Sequence, residues 1–274
     1  MRTAASSLDL VRPRSLDETL RLMSADPSLV PLAGCTDLFV GLNAGTLAEQ
    51  RFVDLWALDE LREIGVRNGM ISIGALATHT MIQESAPVMR ALPILGVACR
   101  EIGGIQIQNR GTIGGNVANG SPAGDTLPVL AVADAIVVLR STTGERRVPF
   151  SAFFTGYRRT VRRPNELIVA FEISAVDTPQ WFRKVGTRAA QAISKVVMAA
   201  IGGARPRIAI GSVARTVIRC IRTEAALANG ASLDEASRIL EEEIQPIDDI
   251  RSTADYRRRV CSNLLRRFAA DTAR

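Results

Sequence analysis

The sequence predicts an α+β protein of two or three packed subdomains, and three observations predict it. Capping and glycine signals divide the chain into short helices and short strand candidates joined by hairpin cues. Its 274 residues, 47% hydrophobic and 23% charged, are enough for more than one core. Asp177-Thr178-Pro179 then reads as a boundary between two parts of the chain.

Ser15-Leu16-Asp17-Glu18 fits a capping box ahead of a short amphipathic helix through about Ala25. Ser28 to Ala33 reads as a strand ended by Gly34. Thr36 and Asp37 could cap a second helix, Leu38 to Asn43, which stops at Gly45. Arg51 to Leu55 is the next strand candidate. Ile64–Val66 and Met70–Ile73 form a hairpin turning at Asn68-Gly69. Thr78–Glu84 and Ala86–Ile102 read as helices, the second apolar and stopped at Gly103. The run Leu130–Leu139 is strongly apolar and flows into a strand. Ala135–Arg140 and Arg146–Val148 pair across Thr143-Gly144, and Glu166–Ile173 is a further strand. Beyond the boundary, Trp181–Val185, Lys195–Ile201, Arg207–Gly211 and Thr216–Cys220 read as short strands. Thr223–Ala228, Leu233–Ile244 and Ala254–Ala270 read as helices, with Ser232 and Glu235 boxing the second.

The chain is organised around the window Glu101–Leu130, which holds Gly103, Gly104, Gly111, Gly114, Gly115, Gly120 and Gly124. Asn109, Thr112, Asn116, Asn119 and Ser121 lie among them. Glycine removes the side chain that keeps a ligand from the main chain, and successive free amides make nests for anionic oxygens. A long segment of this kind is functional or disordered, and this one is too apolar for disorder. A phosphate-bearing cofactor is therefore expected; a glycine-rich connecting loop is the bland alternative. The turn Pro31–Leu38 is a second phosphate cradle, because a helix start presents free amides.

Other classes lose support. No apolar run approaches membrane-spanning length, and the N-terminus lacks a secretory hydrophobic stretch, so the cytoplasm is expected. The net charge of +6 comes from arginines spread through the chain, with Lys184 and Lys195 the only lysines. Aromatics are scarce, so no stacking platform for nucleic acid is expected. Cys35, Cys99, Cys220 and Cys261 are too widely separated for an iron–sulfur or structural zinc site. His79, the only histidine, is expected to serve local hydrogen bonding rather than a triad.

Neither G-x-G-x-x-G after a strand nor G-x-x-x-x-G-K-[ST] occurs, so Rossmann and P-loop readings fail. Two separated loops remain that can grip one extended ligand. Several segments carry a resemblance: Ala33-Gly34-Cys35-Thr36-Asp37-Leu38, the run from Gln106 through Asn109-Arg110-Gly111-Thr112-Ile113-Gly114-Gly115-Asn116, and Ser121-Pro122 with Asp125 and Pro128. Gly156-Tyr157-Arg158 with Thr160, Phe182–Val185, Ile193-Ser194 and the run Asp249–Arg257 extend it. On these residues the sequence resembles the FAD-binding medium subunits of the molybdenum hydroxylases, the xanthine dehydrogenase and carbon monoxide dehydrogenase group, over nearly the whole chain.

The resemblance implies a two-subdomain FAD-binding fold of the vanillyl-alcohol-oxidase/PCMH type, followed by a small α+β domain of the CO dehydrogenase flavoprotein type. The implied domains are 1–60, 61–177 and 178–274. It implies that Pro31, Leu32, Ala33, Gly34, Cys35, Thr36, Asp37 and Leu38 bind the FAD diphosphate through amides and the Thr36 hydroxyl. Thr112, Gly114, Gly115, Asn116 and Asn119 would hold the diphosphate and approach the flavin. Asp125 would accept hydrogen bonds from ribityl or ribose hydroxyls, although a capped turn at Pro122–Asp125 explains it equally. Ile168 would pack on the ring system, or serve as simple core. Lys184 would place cationic charge beside the flavin. The family commonly has Gly-Gly or Gly-Asn where this chain has Gly34-Cys35.

The implied protein is an oxidoreductase subunit with no catalytic acid or base and no metal of its own. It would pass electrons from iron–sulfur clusters to NAD, a quinone or oxygen. Its implied partners are an iron–sulfur small subunit and a molybdenum-cofactor large subunit in a dimer of heterotrimers. A stand-alone flavin reductase of the same fold, such as an enolpyruvyl sugar reductase, and a scaffold that has lost its flavin are the rivals.

Overall fold

The structure, a computed structural model, describes residues 8–48 and 51–272. It opens with strand β1 (Asp9–Val11) and helix α1 (Leu16–Ala25). The Ser15 side chain accepts from the Glu18 amide at 3.2 Å, while the Glu18 carboxylate accepts from the Arg14 amide at 2.7 Å. The box is thus closed one residue earlier than its usual reciprocal bond. Strand β2 (Val30–Leu32), helix α2 (Leu38–Ala44) and strand β3 (Arg51–Asp54) complete a parallel sheet of order β1-β3-β2. Asp37 occupies the cap position of α2 without a side-chain capping bond. Gly45 closes that helix in the left-handed region, φ 68°. Strand β1 escapes sequence reading because three residues carry no period.

Strands β4 (Ile64–Arg67) and β5 (Met70–Gly74) turn at Asn68 and Gly69, both with positive φ, as an Asn-Gly hairpin requires. Next come helices α3 (His79–Glu84), α4 (Ala86–Ala91) and α5 (Pro93–Arg100). The single helix expected over Ala86–Ile102 is two helices. Leu92, at φ −145° and ψ 60°, leaves the helical region ahead of Pro93 because the proline ring crowds it.

The glycine window also differs from a loop. It holds α6 (Ile105–Gln108), α7 (Ile113–Asn119) and α8 (Leu127–Val132). The apolar run beginning at Leu130 ends a buried helix before any strand starts. A short apolar stretch buried on every side has no period that separates the two structures. Strands β6 (Ile136–Ser141), β7 (Gly144–Pro149), the short β8 (Phe154–Gly156) and β9 (Arg159–Thr160), and β10 (Leu167–Ser174) follow. The second sheet runs β4-β5-β10-β6-β7.

The remaining strands, β11 (Gln180–Val185), β12 (Val196–Ile201), β13 (Arg207–Gly211) and β14 (Ile218–Arg219), form an antiparallel sheet in sequence order. Helices α9 (Ile221–Ala228), α10 (Leu233–Glu243) and α11 (Ala254–Thr272) close the fold. Every residue of β12 is buried. Val197, Ala199 and Ile201 join the core built on α5 and α8. Val196, Met198 and Ala200 face a separate core with Leu240, Cys261, Leu265 and Phe268. The last sheet is therefore the common wall of two cores and holds its domain against the glycine window. Arg257, 4% exposed, bonds the Ser212 carbonyl and Asp249, so the Asp249–Arg257 signature packs this domain internally. Among the described residues, no helix is long and apolar enough to cross a membrane.

Candidate cofactor site

Two adjoining cavities, about 950 Å³ and about 1240 Å³, share part of their walls and form one trough. Asp37, Ile102, Asn116, Asn119 and Arg158 line both. The first is walled by Pro31, Leu32, Ala33, Gly34, Cys35, Thr36, Asp37 and Leu38 on one side. Thr112, Gly114, Gly115, Asn116, Asn119 and Ile168 face them. Asp125 and Lys184 line the second. The fold thus brings all the residues that the resemblance implies for the cofactor to the lining of these two cavities.

The two loops meet each other as well as the trough. A Cβ built on Gly34 would overlap the Arg110 carbonyl oxygen and lie 2.5 Å from its carbon. Arg110 in turn stacks its guanidinium on Trp56, 3.6 Å from the ring centroid, and Arg62 also stacks on that ring, at 4.3 Å. The glycine at position 34 is therefore what lets the first loop close on the second. Cys35 sits at φ 65°, a conformation that costs a non-glycine residue about 1 kcal/mol. This explains why glycine or asparagine suits the position. Cys35→Gly is expected to raise the folding stability of the chain by up to about half a kcal/mol, net of glycine's extra unfolded entropy. Chemical denaturation measures it, and a lower midpoint in the variant would contradict the account.

Whether the trough fits an anionic dinucleotide depends on where its main-chain donors go. Among the described residues, the amides of Gly34, Cys35, Thr36 and Asp37 have no acceptor. Four free donors in a tight turn are a nest for a diphosphate. The second turn is different. Ile113 and Gly114 donate to the carbonyls of Ala77 and Ala75 at 3.1 and 2.9 Å, and Gly115 donates to the Thr112 hydroxyl at 3.1 Å. The expectation of bare amides in both turns therefore gives way. The exit of β5 takes the donors of α7, which leaves that helix to contribute shape and side chains. Gly114 touches Ala75 closely, its Cβ position 2.6 Å from the carbonyl oxygen, whereas a Cβ on Gly115 would meet only the Thr112 hydroxyl, at 3.0 Å. Asn116 accepts from the Thr126 hydroxyl at 2.6 Å through Oδ1, which turns its amide nitrogen free for the trough.

Asp125 and Lys184 differ from expectation too. Lys184 Nζ donates to Asp125 Oδ2 at 2.7 Å and to the Glu101 carbonyl at 2.8 Å. The Ser194 hydroxyl donates to Asp125 Oδ1. The carboxylate is thus engaged by protein donors, and the lysine charge beside the cavity is paired. The turn at Pro122–Asp125 is capped by Ser121, whose hydroxyl accepts from Ala123, rather than by Asp125. Ile168 is 5% exposed, belongs to the main core and also lines the first cavity.

His79 lies in the same wall. Its amide donates to Gly111 and its carbonyl accepts from Gln83, so local hydrogen bonding belongs to its main chain. The ring is 2% exposed and its Nδ1 has no partner among the described residues. Burial pushes the imidazole down to about 4. Since the unfolded chain protonates first, stability is full above about pH 6.5 and is lost as pH falls toward 4, a contribution of about 3 kcal/mol. Melting temperature followed from pH 7 to pH 4 is expected to fall less steeply in His79→Gln than in the wild type; parallel curves would refute this.

Comparison with known proteins decides the family. The family described as "FAD binding domain in molybdopterin dehydrogenase" matches residues 6–175, and "CO dehydrogenase flavoprotein C-terminal domain" matches residues 181–272. The chain belongs to this flavoprotein family. It is 31% identical to the glyceraldehyde dehydrogenase medium chain of Sulfolobus acidocaldarius, over 91% of this chain and 92% of that one. It is 30% identical to the carbon monoxide dehydrogenase medium chain of Hydrogenophaga pseudoflava, over 93% of each. The solved carbon monoxide dehydrogenase of that organism superposes with a TM-score of 0.90 at 28% identity, covering 97% of this chain and 96% of that one. Quinoline 2-oxidoreductase of Pseudomonas putida 86 gives 0.91 at 25% identity, covering 100% and 98%. The family is one of FAD-binding oxidoreductase subunits, and the free amides of the first loop suit its cofactor. Sequence reading missed Ser194, Arg158 and His79 as parts of the wall. Ser194 and Arg158 fall within segments that carried the resemblance, but nothing local marks a side chain that closes a site from a distant strand.

Proposed function

We propose that this flavoprotein subunit transfers electrons within a molybdenum hydroxylase complex, from iron–sulfur clusters on a small subunit to an external acceptor such as NAD, a quinone or oxygen. The molybdenum cofactor belongs to a large subunit, and the assembly is a dimer of heterotrimers in the cytoplasm. Relatives named as medium chains and FAD-binding subunits support the assembly, and four free cysteines suit a reducing compartment. Bound FAD supplies the redox chemistry.

The residues supply the binding. The free amides from Gly34 to Asp37, with the Thr36 hydroxyl, grip the diphosphate. Pro31, Leu32, Ala33 and Leu38 shape that grip, and Thr112 holds the start of α7 so that Gly114 and Gly115 leave room beside it. Asn116 and Asn119 line the passage between the two cavities, Ile168 packs on the ring system, and Lys184, paired with Asp125, places its charge beside the flavin. The division into 1–60, 61–177 and 178–274 belongs to the same reading, each part containing one of the three larger sheets. The observation that carries the proposal is the set of four amides, without acceptors among the described residues, in a turn that lines two adjoining cavities of about 950 and 1240 Å³. An absorption spectrum of the protein purified with its native partners tests it. Flavin bands with co-purifying iron–sulfur and molybdenum subunits are expected. A colourless chain sinks the cofactor assignment, and a yellow chain that purifies alone points to a self-sufficient flavoenzyme.

A further inference from the structure

Asp125 is 6% exposed, yet it is bonded twice from the domain that follows. Lys184, in β11, reaches Oδ2 at 2.7 Å; Ser194, just ahead of β12, reaches Oδ1 at 2.5 Å. Ser194 is itself 1% exposed, and its carbonyl accepts from the Ser212 hydroxyl at 3.0 Å, so its backbone is tied to the end of β13. The lysine also donates to the Glu101 carbonyl just past α5. Two side chains of the C-terminal domain thereby bind three oxygens of the glycine window, beside the second cavity.

A buried ion pair repays its desolvation only when further hydrogen bonds satisfy the ions. Here the carboxylate has one cationic and one neutral donor. Ser194 supplies the neutral one, and without it the carboxylate would keep the lysine alone. We propose that Ser194 is a positioning residue of the cofactor site: its hydroxyl fixes the Asp125 carboxylate, which locks Lys184 and latches the C-terminal domain across the trough. The part concerning the flavin rests on the cofactor reading above, whereas the latch is a property of the polypeptide. Burial raises the Asp125 carboxyl above its ordinary range, Lys184 and Ser194 oppose that rise, and Glu101 adds to it. Cys99, on α5, also feels that charge, which adds to the rise that burial gives its thiol.

A hydroxyl donates more strongly to a carboxylate than to a carboxylic acid. The deficit caused by removing it is therefore largest while Asp125 is ionised, and it shrinks as acid protonates that group. Ser194→Ala in the full chain, freed of flavin, is expected to melt about 5 °C below wild type at neutral pH. The gap narrows on acidification, and Ser194→Thr restores most of it. In the flavin-loaded protein, Ser194→Ala lets Asp125 take its proton at higher pH. That leaves Lys184 uncompensated, so the flavin potential rises above the wild-type value in that range. A melting deficit that is constant with pH and untouched by threonine is ordinary packing loss and overturns the proposal. If wild-type chain binds no flavin, the cofactor reading fails by itself, and the pH dependence of the flavin-free deficit still decides the latch.

Discussion

Replacing Gly34 with alanine is expected to strip the chain of flavin and to lower its melting temperature by roughly 5–10 °C. The cause is contact between main chains. The added methyl would overlap the Arg110 carbonyl oxygen and press on the Gly111 amide nitrogen at 3.2 Å, and neither group can rotate away as a side chain would. Arg110 is held by its stack on Trp56, and Gly111 by the bond its carbonyl accepts from His79, so the second loop cannot yield cheaply. The first loop would have to move instead, carrying its four free amides out of register with whatever they bind. Overpacking of this kind costs about 3 kcal/mol. Flavin-to-protein ratio and thermal melting of the purified variant measure both effects. Wild-type occupancy together with wild-type melting would show that the loops do not depend on this approach.

Much of the fold was legible where the signal is local, although Asp37 at the start of α2 makes no side-chain cap. Ser15, Thr78 and Ser232 each cap the helix that follows through the hydroxyl, and Asn68-Gly69 turns its hairpin with positive φ at both residues. Where the signal depends on surroundings it failed. Leu127–Val132 is apolar throughout, buried against α5 and the C-terminal sheet, and that uniformity hides whether it is helix or strand. The break at Leu92 was written in Pro93, yet the apolar character on both sides of it reads as one helix.

The candidate site shows the same division. Glycine marked both loops correctly as places of close approach, but it did not say what approaches. At Gly34 it is the other loop, at Gly114 it is the exit of β5, and at Gly115 it is open trough. Only long-range packing distinguishes these cases. Asp125, Lys184 and Ser194 lie 59 and 69 positions apart along the chain, so their mutual bonds leave no local pattern in sequence. Lys184 and Asp125, both carried over by resemblance, line the second cavity, while their pairing leaves no mark in the sequence.

The contrast between two neighbouring glycines makes the last expected result the sharpest for the cofactor. Gly115→Val should reduce flavin occupancy to below about a tenth of wild type while leaving the flavin-free fold within about 1 kcal/mol of its stability. Glycine is itself a poor helix residue, so valine costs α7 little through propensity. The new Cβ meets only the Thr112 hydroxyl, at 3.0 Å, and displacing that cap bond costs on the order of 1 kcal/mol. Its two methyls have nowhere to go except the trough, across from the free amides of the first loop. Gly114→Val would give a different outcome, since its side chain runs into Ala75 and dislodges the helix before any ligand is involved. Circular dichroism and melting of the two flavin-free variants separate the cases. Should Gly115→Val keep its full flavin while folding normally, the diphosphate does not pass this turn, and the trough between the two loops is not where the cofactor lies.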